Sequence, residues 1–259
     1  MNRPAPSRRG LIGAGSAALG GLLLAGCDRL SEAPKFVDFI GRAEGLTFAS
    51  QRLLLAGQPL AREFAPSMIS PVFKANGSTM PSGATYKGLL EGGFADFSLS
   101  VDGLVRRPMR FSLADLKAMP ARTQITRHDC VEGWSAIGQW TGVQLSSLLA
   151  RVGLAPGARY AVFFCADDMS GSSDGSGQYY ESIDLFDAFH PQTILAYQLN
   201  GKPLDVAHGA PLRLRVERQL GYKMAKYVMN IRLVERLGHI KGGNGGYWED
   251  QGYEWYAGI

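Results

Sequence analysis

The sequence predicts an α+β fold that combines a mixed β-sheet with short interspersed helices. Three observations favour it: several segments have strand-like apolar patterns, hairpin turns follow some of them, and the helical segments between them are short. No internal repeat is visible. The chain has 259 residues and 46% apolar content, enough for one sizeable globular domain or two small ones.

The first 26 residues resemble an export signal. The pair Arg8-Arg9 precedes an apolar run over 10–25 that is too short and glycine-rich for a convincing membrane span. Paired arginines before such a run resemble a twin-arginine signal, which exports folded proteins, and residues 24–27 resemble a lipobox ending in Cys27. An ordinary secretory signal with an incidental Cys27 is the alternative. We expect a periplasmic or cell-envelope location, with or without a lipid anchor.

After this signal, 1–26, we expect a tether and N-terminal segment over 27–70 and a catalytic domain over 71–259. The formal charge of +4 comes mostly from the signal, which holds three of the 27 basic residues and none of the 23 acidic ones. The remaining 24 basic and 23 acidic residues nearly cancel, and no basic stripe is interleaved with aromatic residues. We therefore expect no nucleic-acid partner.

The elements of the domain follow from local patterns. Residues 97–101 alternate and precede Asp102-Gly103, which predicts a hairpin with 104–105 as its return strand. Ser112, with Asp115 three residues later, predicts a capped short helix. The remaining predictions are strands at 122–128, 158–166, 193–199, 212–216 and 228–234, helices at 143–152 and 182–189, and a mobile loop at 167–178 near the site entrance.

The strongest chemical signal lies in residues 127–135. They place Cys130 after a predicted strand, before a Trp/Gly-rich turn, and close to an arginine, a histidine, an aspartate and a glutamate. A thiol there can become a thiolate, which is a nucleophile or a soft metal ligand. Burial as a small apolar residue is the alternative, although unpaired charged neighbours are costly to bury. Cys165, inside a predicted strand, is expected to be an inert core thiol, and both thiols to stay unpaired.

These residues and several later motifs resemble the sulfite-oxidase-fold molybdopterin oxidoreductases. The resemblance is strongest to the branch that contains the periplasmic, molybdenum-dependent methionine-sulfoxide reductase catalytic subunits, and it covers residues 70–259. It implies a molybdenum–molybdopterin cofactor. The motifs that carry it are Asp129-Cys130-Val131-Glu132-Gly133-Trp134, Trp140-Thr141-Gly142-Val143, Phe189-His190-Pro191, Asn200-Gly201-Lys202-Pro203, His208-Gly209-Ala210-Pro211-Leu212-Arg213-Leu214 and Gly221-Tyr222-Lys223-Met224-Ala225-Lys226.

The resemblance also implies roles for individual residues. Cys130 would be the thiolate that completes the sulfur set of the metal, and positive charge on Arg127 would favour its deprotonated form. The pterin and its phosphate would be held by hydrogen-bond donors and, by a looser match, by a residue near the metal. These cofactor-binding candidates are His190, Arg213, Lys223, Lys226, the backbone amides near Gly221, and Asn76.

Each of these candidates has a structural alternative. His190 could cap the helix predicted to end at Phe189. Arg213 and Arg215 alternate with apolar residues, so they could lie on a solvated strand face. The two lysines of the Gly221–Lys226 motif could be surface charges.

Glu132 favours a neutral substrate. Sulfite oxidases typically carry an arginine-rich stretch after the metal cysteine, whereas a carboxylate stands here and would repel a dianion such as sulfite. We therefore expect two-electron oxygen-atom transfer from a sulfoxide or N-oxide. Glu132 could relay protons to the departing oxygen or form an ion pair with Arg127. A sulfite dehydrogenase of the same fold, a metal-free thiol enzyme using Cys130 and His128, and a lipoprotein binding module are the alternatives.

Electrons must come from another protein. The sequence has no Cys-x-x-Cys-His motif and no cysteine cluster for iron and sulfur, so we expect a membrane haem protein or a soluble cytochrome as donor. The chain ends soon after Gly238, so we expect no all-β dimerisation domain and a monomer. The aromatic, acidic segment 247–256 could form a lid, line the substrate entrance or pack in the core.

Overall fold

The computed structural model describes residues 33–171 and 176–259, so the predicted export signal and Cys27 lie outside the described residues. The chain divides into two units, residues 1–57 and 58–259. In the first unit, one helix is described, Pro34–Leu54, with a proline in its first turn, where the missing N–H costs nothing. Within the described ranges, no helix combines the length and the apolar character needed to cross a bilayer.

The second unit contains two β-sheets. The strands are β1 (Ser98–Gly103), β2 (Met109–Ser112), β3 (Ala121–Asp129), β4 (Ser135–Gln144), β5 (Tyr160–Asp168), β6 (Gln178–Asp184), β7 (Ile194–Leu199), β8 (Lys202–Pro203), β9 (Arg213–Arg215) and β10 (Val228–Val234). In the first sheet the order is β2-β1-β10-β5-β6, with β1 parallel to β10 and the other pairs antiparallel. In the second sheet the order is β3-β4-β7-β8, and β9 also pairs with β7.

Short helices connect and cover these strands. Leu145–Val152 turns all four of its large apolar side chains inward, which gives the helix the continuous apolar stripe that the main core needs. A smaller cluster forms around Phe73 and Trp140. The other helices of this unit are Ala84–Glu91, Leu113–Ala118, Leu185–Ala188 and Tyr247–Asp250, with 3-10 turns at Pro66–Met68 and Gly221–Lys223.

The predicted α+β class with mixed sheets is confirmed. The helix capped by Ser112 and Asp115 is confirmed with both hydrogen bonds of the capping box, and the predicted strands at 122–128, 158–166, 193–199, 212–216 and 228–234 are all present.

Three local predictions were wrong. The return strand of β1 is Met109–Ser112, not 104–105, because Leu104 N–H instead donates to Leu233 O (2.7 Å). Most of the helix predicted at 182–189 is strand β6, which pairs with β5, so only Leu185–Ala188 is helical. Strand β4, which was not predicted, extends from Ser135 to Gln144, so the predicted 143–152 helix begins at Leu145.

Candidate active site

Cys130 occupies the turn of the hairpin between β3 and β4. The two strands pair from Ala121 opposite Val143 to Asp129 opposite Ser135. At the turn, Cys130 N–H donates to Trp134 O (3.0 Å), and Gly133, at φ +83°, donates its N–H to Cys130 O (3.0 Å). A glycine suits that left-handed conformation because it has no Cβ. The hairpin therefore fixes the half-buried thiol by backbone hydrogen bonds on both sides.

Burial raises the pKa of the resting Cys130 thiol, and the charge of Glu132 adds to this; together they outweigh the lowering by the Glu132 backbone amide and by the cations Lys74 and Arg213. The exposed Arg127 side chain forms an ion pair with Asp129 (2.9 Å), so its predicted assistance to the thiolate stays a prediction. A cation bound at the sulfur would supply the missing stabilisation of the thiolate.

Cys130 lines a cavity of about 180 Å³, here called the cysteine cavity. Its wall combines the turn after β3 with residues that are distant in sequence. Four of the predicted site residues besides Cys130 line it, namely Asn76, Glu132, Gly221 and Lys226. The rest of the lining is Gly77, Ser78, Val131, Asp167, Met169, Tyr179, Tyr222, Met224, Trp248 and Tyr253.

Asn76 is held in this wall by its own segment and by Arg213. Ser70 N–H donates to Ile137 O in β4, and Ile137 N–H donates to Ser70 Oγ (2.9 Å each). Phe73 packs edge-on against Trp140, with ring centroids 5.2 Å apart. Arg213 Nη2 then donates to Asn76 Oδ1 (3.1 Å). The loosely matched Asn76 therefore lines the same cavity as Cys130, and its role near the metal stays a prediction.

Two buried cations lie at this wall. Arg213 is fully buried, and burial together with Arg215 lowers its pKa to about 9. The expected solvated face of β9 is wrong, since both arginines are buried. Burial and the charge of Arg213 lower the pKa of Lys226 to about 7, and its Nζ donates to Ser78 O and to Ala207 O (2.9 Å). Both groups are costly to bury without an anion, which is what an anionic ligand would provide.

His128 supports the wall behind Gly221. Arg215 Nη1 donates to His128 Nδ1 (3.0 Å), so the proton of the neutral ring lies on Nε2. That atom is buried and has no hydrogen-bond partner among the described residues. Burial lowers the pKa of His128 well below its usual range, so the ring stays neutral. The sequence pattern did not identify this role.

We expect Gly221→Ala to reshape this wall. An added Cβ would lie 2.4 Å from the His128 ring and 3.2 Å from Asp129 O, so the ring or the Cys130 turn must move. We predict that the variant folds but retains less than half of the cofactor found in the wild type. The matched control is Gly238→Ala, because a Cβ there meets nothing within 4 Å. Equal cofactor content in the two variants would show that this contact is not needed.

Glu132 lies at the exposed rim of the cavity. Trp134 Nε1–H donates to its carboxylate (3.0 Å), and this bond lowers the pKa of Glu132. The predicted ion pair with Arg127 is wrong, because Lys74 Nζ is the partner at 3.4 Å. Glu132 is therefore a carboxylate at neutral pH, two residues from the thiol.

The segment after residue 246 lines the same cavity. Trp248 and Tyr253 stack at 5.3 Å between ring centroids, and Tyr222 meets Tyr253 edge-on at 5.3 Å. All three rings line the cavity, and Tyr253 is 41% exposed. The aromatic C-terminal segment therefore forms part of the cavity lining, one of the alternatives that its sequence left open.

Two predicted cofactor residues lie elsewhere. His190 is buried beside residues 59–61, with Nε2 3.2 Å from Pro59 O and Nδ1 accepting from Gln192 N–H (3.2 Å). Lys223 Nζ is buried between the carboxylates of Glu181 and Glu249. Neither side chain lines the cysteine cavity.

The lining suits a metal cofactor whose organic part supplies most of the atoms that coordinate the metal. No group of three His, Cys, Asp or Glu side chains that could hold a metal is found in residues 33–171 and 176–259. Cys130 would then be a single soft ligand, and the remaining ligands would belong to the bound group. The cations at the wall suit a phosphate on such a group.

Comparison with known proteins gives a consistent result. Residues 90–238 match the family described as the oxidoreductase molybdopterin binding domain. A protein of Azospira oryzae named as protein-methionine-sulfoxide reductase subunit YedZ1 is 40% identical over 199 residues, which are 75% of this chain and 70% of that protein. The protein-methionine-sulfoxide reductase catalytic subunit MsrP of Xanthomonas campestris is 40% identical over 147 residues, which are 54% of this chain and 46% of that protein.

Among solved structures, the sulfane dehydrogenase SoxCD of Paracoccus pantotrophus has 23% sequence identity and a TM-score of 0.48. That similarity covers 55% of this chain and 39% of the other.

Proposed function

This chain belongs to the molybdopterin-binding oxidoreductase family, and from that premise we propose that it reduces a neutral sulfoxide, with Cys130 as the protein ligand of molybdenum. The observation that carries the choice of substrate is the Glu132 carboxylate at the rim of the cysteine cavity. It disfavours an anionic substrate and leaves a neutral one unaffected. The names of the two relatives support the same substrate class.

The residues of the cavity fit the cofactor chemically. Cys130 lines the cavity, and two buried donors, His128 Nε2 and Arg213 Nε, have no partner among the described residues. We propose that Arg213 and Lys226 hold the phosphate and that Asn76 and the backbone at Gly221 contact the pterin side. At 180 Å³ the cavity is smaller than usual ligand pockets of about 300–1,000 Å³, so lining side chains must shift to admit a pterin.

The chain's own residues define the rest of the reaction. When bound by Cys130, the cofactor would supply two-electron oxygen-atom transfer, which reduces the sulfoxide sulfur to a thioether. The aromatic rings of Tyr222, Trp248 and Tyr253, with Met169 and Met224, form an apolar lining that suits a thioether product. Two electrons and two protons must then enter for the oxygen to leave as water.

We propose that the electrons come from an external partner, a membrane haem protein or a soluble cytochrome. We also propose that residues 1–26 direct export, that residues 71–259 form the catalytic domain, and that the exported protein exists with or without a lipid on Cys27. Residues 58–70, which this division assigns to the tether, belong to the second structural unit, where Phe64 N–H donates to Ile125 O (2.9 Å).

An activity comparison tests the proposed substrate. Protein exported by its own signal, from a host that makes the cofactor, is assayed with a reduced viologen dye and peptide methionine sulfoxide, and separately with sulfite and ferricyanide. We expect sulfoxide reduction to have the higher kcat/KM. A higher value for sulfite would establish the alternative, a sulfite dehydrogenase. Activity with neither substrate, in protein without molybdenum, would favour the thiol enzyme or the binding module.

Glu132→Gln tests the charge argument within one protein. Removing one negative charge near the thiol should raise the ratio of sulfite to sulfoxide kcat/KM roughly fourfold, the size expected for a solvent-screened pair at about 5 Å. The matched control is Lys74→Met, which removes the cation that pairs with Glu132 and should lower the ratio. Shifts of the same sign in both variants would argue against an electrostatic filter.

A further inference from the structure

Asp167 separates two cavities. One is the cysteine cavity, and the other has a volume of about 710 Å³ and includes Ser82, Gly83, Thr85, Asp167 and Asp168 in its lining. Among the described residues, Asp167 is the only one that lines both. Ser82, Gly83 and Thr85 are exposed, so the second cavity, here called the outer cavity, reaches solvent. A carboxyl group therefore stands between the solvent of the outer cavity and the inner side of the cysteine cavity, opposite the exposed rim at Glu132.

The carboxyl group of Asp167 is half satisfied. Ser78 Oγ donates to its Oδ2 (2.7 Å), and Ser78 itself lines the cysteine cavity. Oδ1 is buried and has no hydrogen-bond partner among the described residues, and the whole residue is only 4% exposed. A buried carboxyl oxygen without a partner is costly, and the cost is reduced when that oxygen carries a proton or contacts a water.

The charged and titratable groups around Asp167 come from every neighbouring element. They are Lys226 and Tyr227 before β10, Tyr86 in the helix Ala84–Glu91, Cys165 and Asp168 in β5, and Tyr179 in β6. Lys226 is the only cation among them, and it already donates to two backbone carbonyls. Burial outweighs that cation and raises the pKa of Asp167 to about 6.

Sulfoxide reduction needs protons inside the cysteine cavity. For each turnover one sulfur–oxygen bond breaks, two electrons arrive from the external donor, and two protons join the oxygen to form water. Glu132 is poorly suited to supply them, because its pKa is lowered. A group with a pKa near the working pH, accessible from water on one side, is better suited.

We propose that Asp167 carries protons from the outer cavity to the cysteine cavity, directly or through the Ser78 hydroxyl. The carboxyl group takes up a solvent proton from the outer cavity and then releases it toward the departing oxygen. This inference rests on the proposed function, since it assigns a role within that reaction.

Asp167→Asn is the first test. With saturating peptide methionine sulfoxide and reduced viologen, kcat should fall about 100-fold, the usual contribution of a positioned proton donor. Because the donor must be protonated, wild-type kcat should fall as pH rises through about 6, and the variant should lose that dependence. The matched control is Asp168→Asn, which lines only the outer cavity. It should keep most of the wild-type kcat at low pH and shift the fall of kcat to lower pH, because the charge of Asp168 raises the pKa of Asp167. An unchanged profile in Asp167→Asn would overturn the proposal.

A second readout does not depend on turnover. Infrared difference spectra of the wild type, recorded with and without cofactor between pH 4 and 8, should contain a protonated-carboxyl band that disappears near pH 6. Asp167→Asn should lack this band. A band that persists in the variant would show that another group titrates and would overturn the assignment. Ser78→Ala should shift the band, because it removes the hydrogen bond to Oδ2.

These measurements separate the inference from its premise. If the wild type lacks molybdenum and sulfoxide activity, the proposed function fails, whatever the infrared band does. If the wild type is active and Asp167→Asn keeps full molybdenum content, full kcat and the same pH profile, the proposed function stands and the role of Asp167 fails.

Discussion

Cys130→Ser is expected to lose molybdenum-dependent activity while keeping the fold. The side chain lies at a turn that backbone hydrogen bonds hold, so exchanging sulfur for oxygen leaves the hairpin intact. A serine hydroxyl is a poor substitute for a soft thiolate at molybdenum. We expect kcat to fall by more than about 100-fold, since even supporting residues around a metal can contribute that much. The measurements are sulfoxide turnover and molybdenum per chain.

Cys165→Ala is the matched control for that variant. Cys165 is a buried residue of β5, and burial raises its pKa well above the usual range, as expected for an inert core thiol. We expect it to keep molybdenum and turnover. Wild-type activity in Cys130→Ser, or loss of molybdenum only in Cys165→Ala, would mean that the metal ligand is assigned to the wrong cysteine.

Lys223→Met is expected to cause the largest loss of stability. Lys223 pairs with Glu181 and Glu249, and all three side chains are fully buried. Removing the cation leaves negative charge buried without compensation, which typically costs about 3–5 kcal/mol. The free energy of unfolding, measured by denaturant titration, should fall by that amount. Because Glu249 lies in the helix Tyr247–Asp250 beside Trp248, the cavity lining should loosen as well.

Two further variants decide whether charge burial is the cause. Lys223→Met combined with Glu249→Gln removes a carboxylate and should recover a large part of the lost stability. Lys202→Met removes an exposed lysine of β8 and should change stability by less than about 0.5 kcal/mol. A double variant that is less stable than Lys223→Met would point to lost packing instead of unpaired charge.

Local patterns were sufficient to predict several elements of the fold. The Ser112 cap and the strand before Cys130 depend on residues close in sequence, and both are present. Strand β4 was missed because its glycines resemble a turn. At Gly142 an added Cβ would lie 2.2 Å from Leu195 O, so that glycine marks close approach of β7. Only the paired structure shows this reason for glycine.

The site was harder to predict because its members meet across long sequence separations. Cys130 and Asn76 were recognised from motifs, and the structure brings both to one cavity. Asp167 was assigned to a loop, since nothing nearby in the sequence indicates that it meets Ser78, 89 residues away. Lys223 was expected to contact the cofactor, yet its partners are 42 and 26 residues away in sequence. Motifs indicate which residues matter but not what each side chain contacts.

The most direct test of the central claim is the molybdenum content of the full chain, exported by its own signal from a host that makes the cofactor. Metal is measured by mass spectrometry, and pterin by fluorescence after oxidative release. We predict about one molybdenum and one pterin per wild-type chain. Both should be strongly reduced in Gly221→Ala, and molybdenum should be lost in Cys130→Ser. Wild-type protein with neither molybdenum nor pterin would contradict the assignment of this cavity as a molybdopterin site.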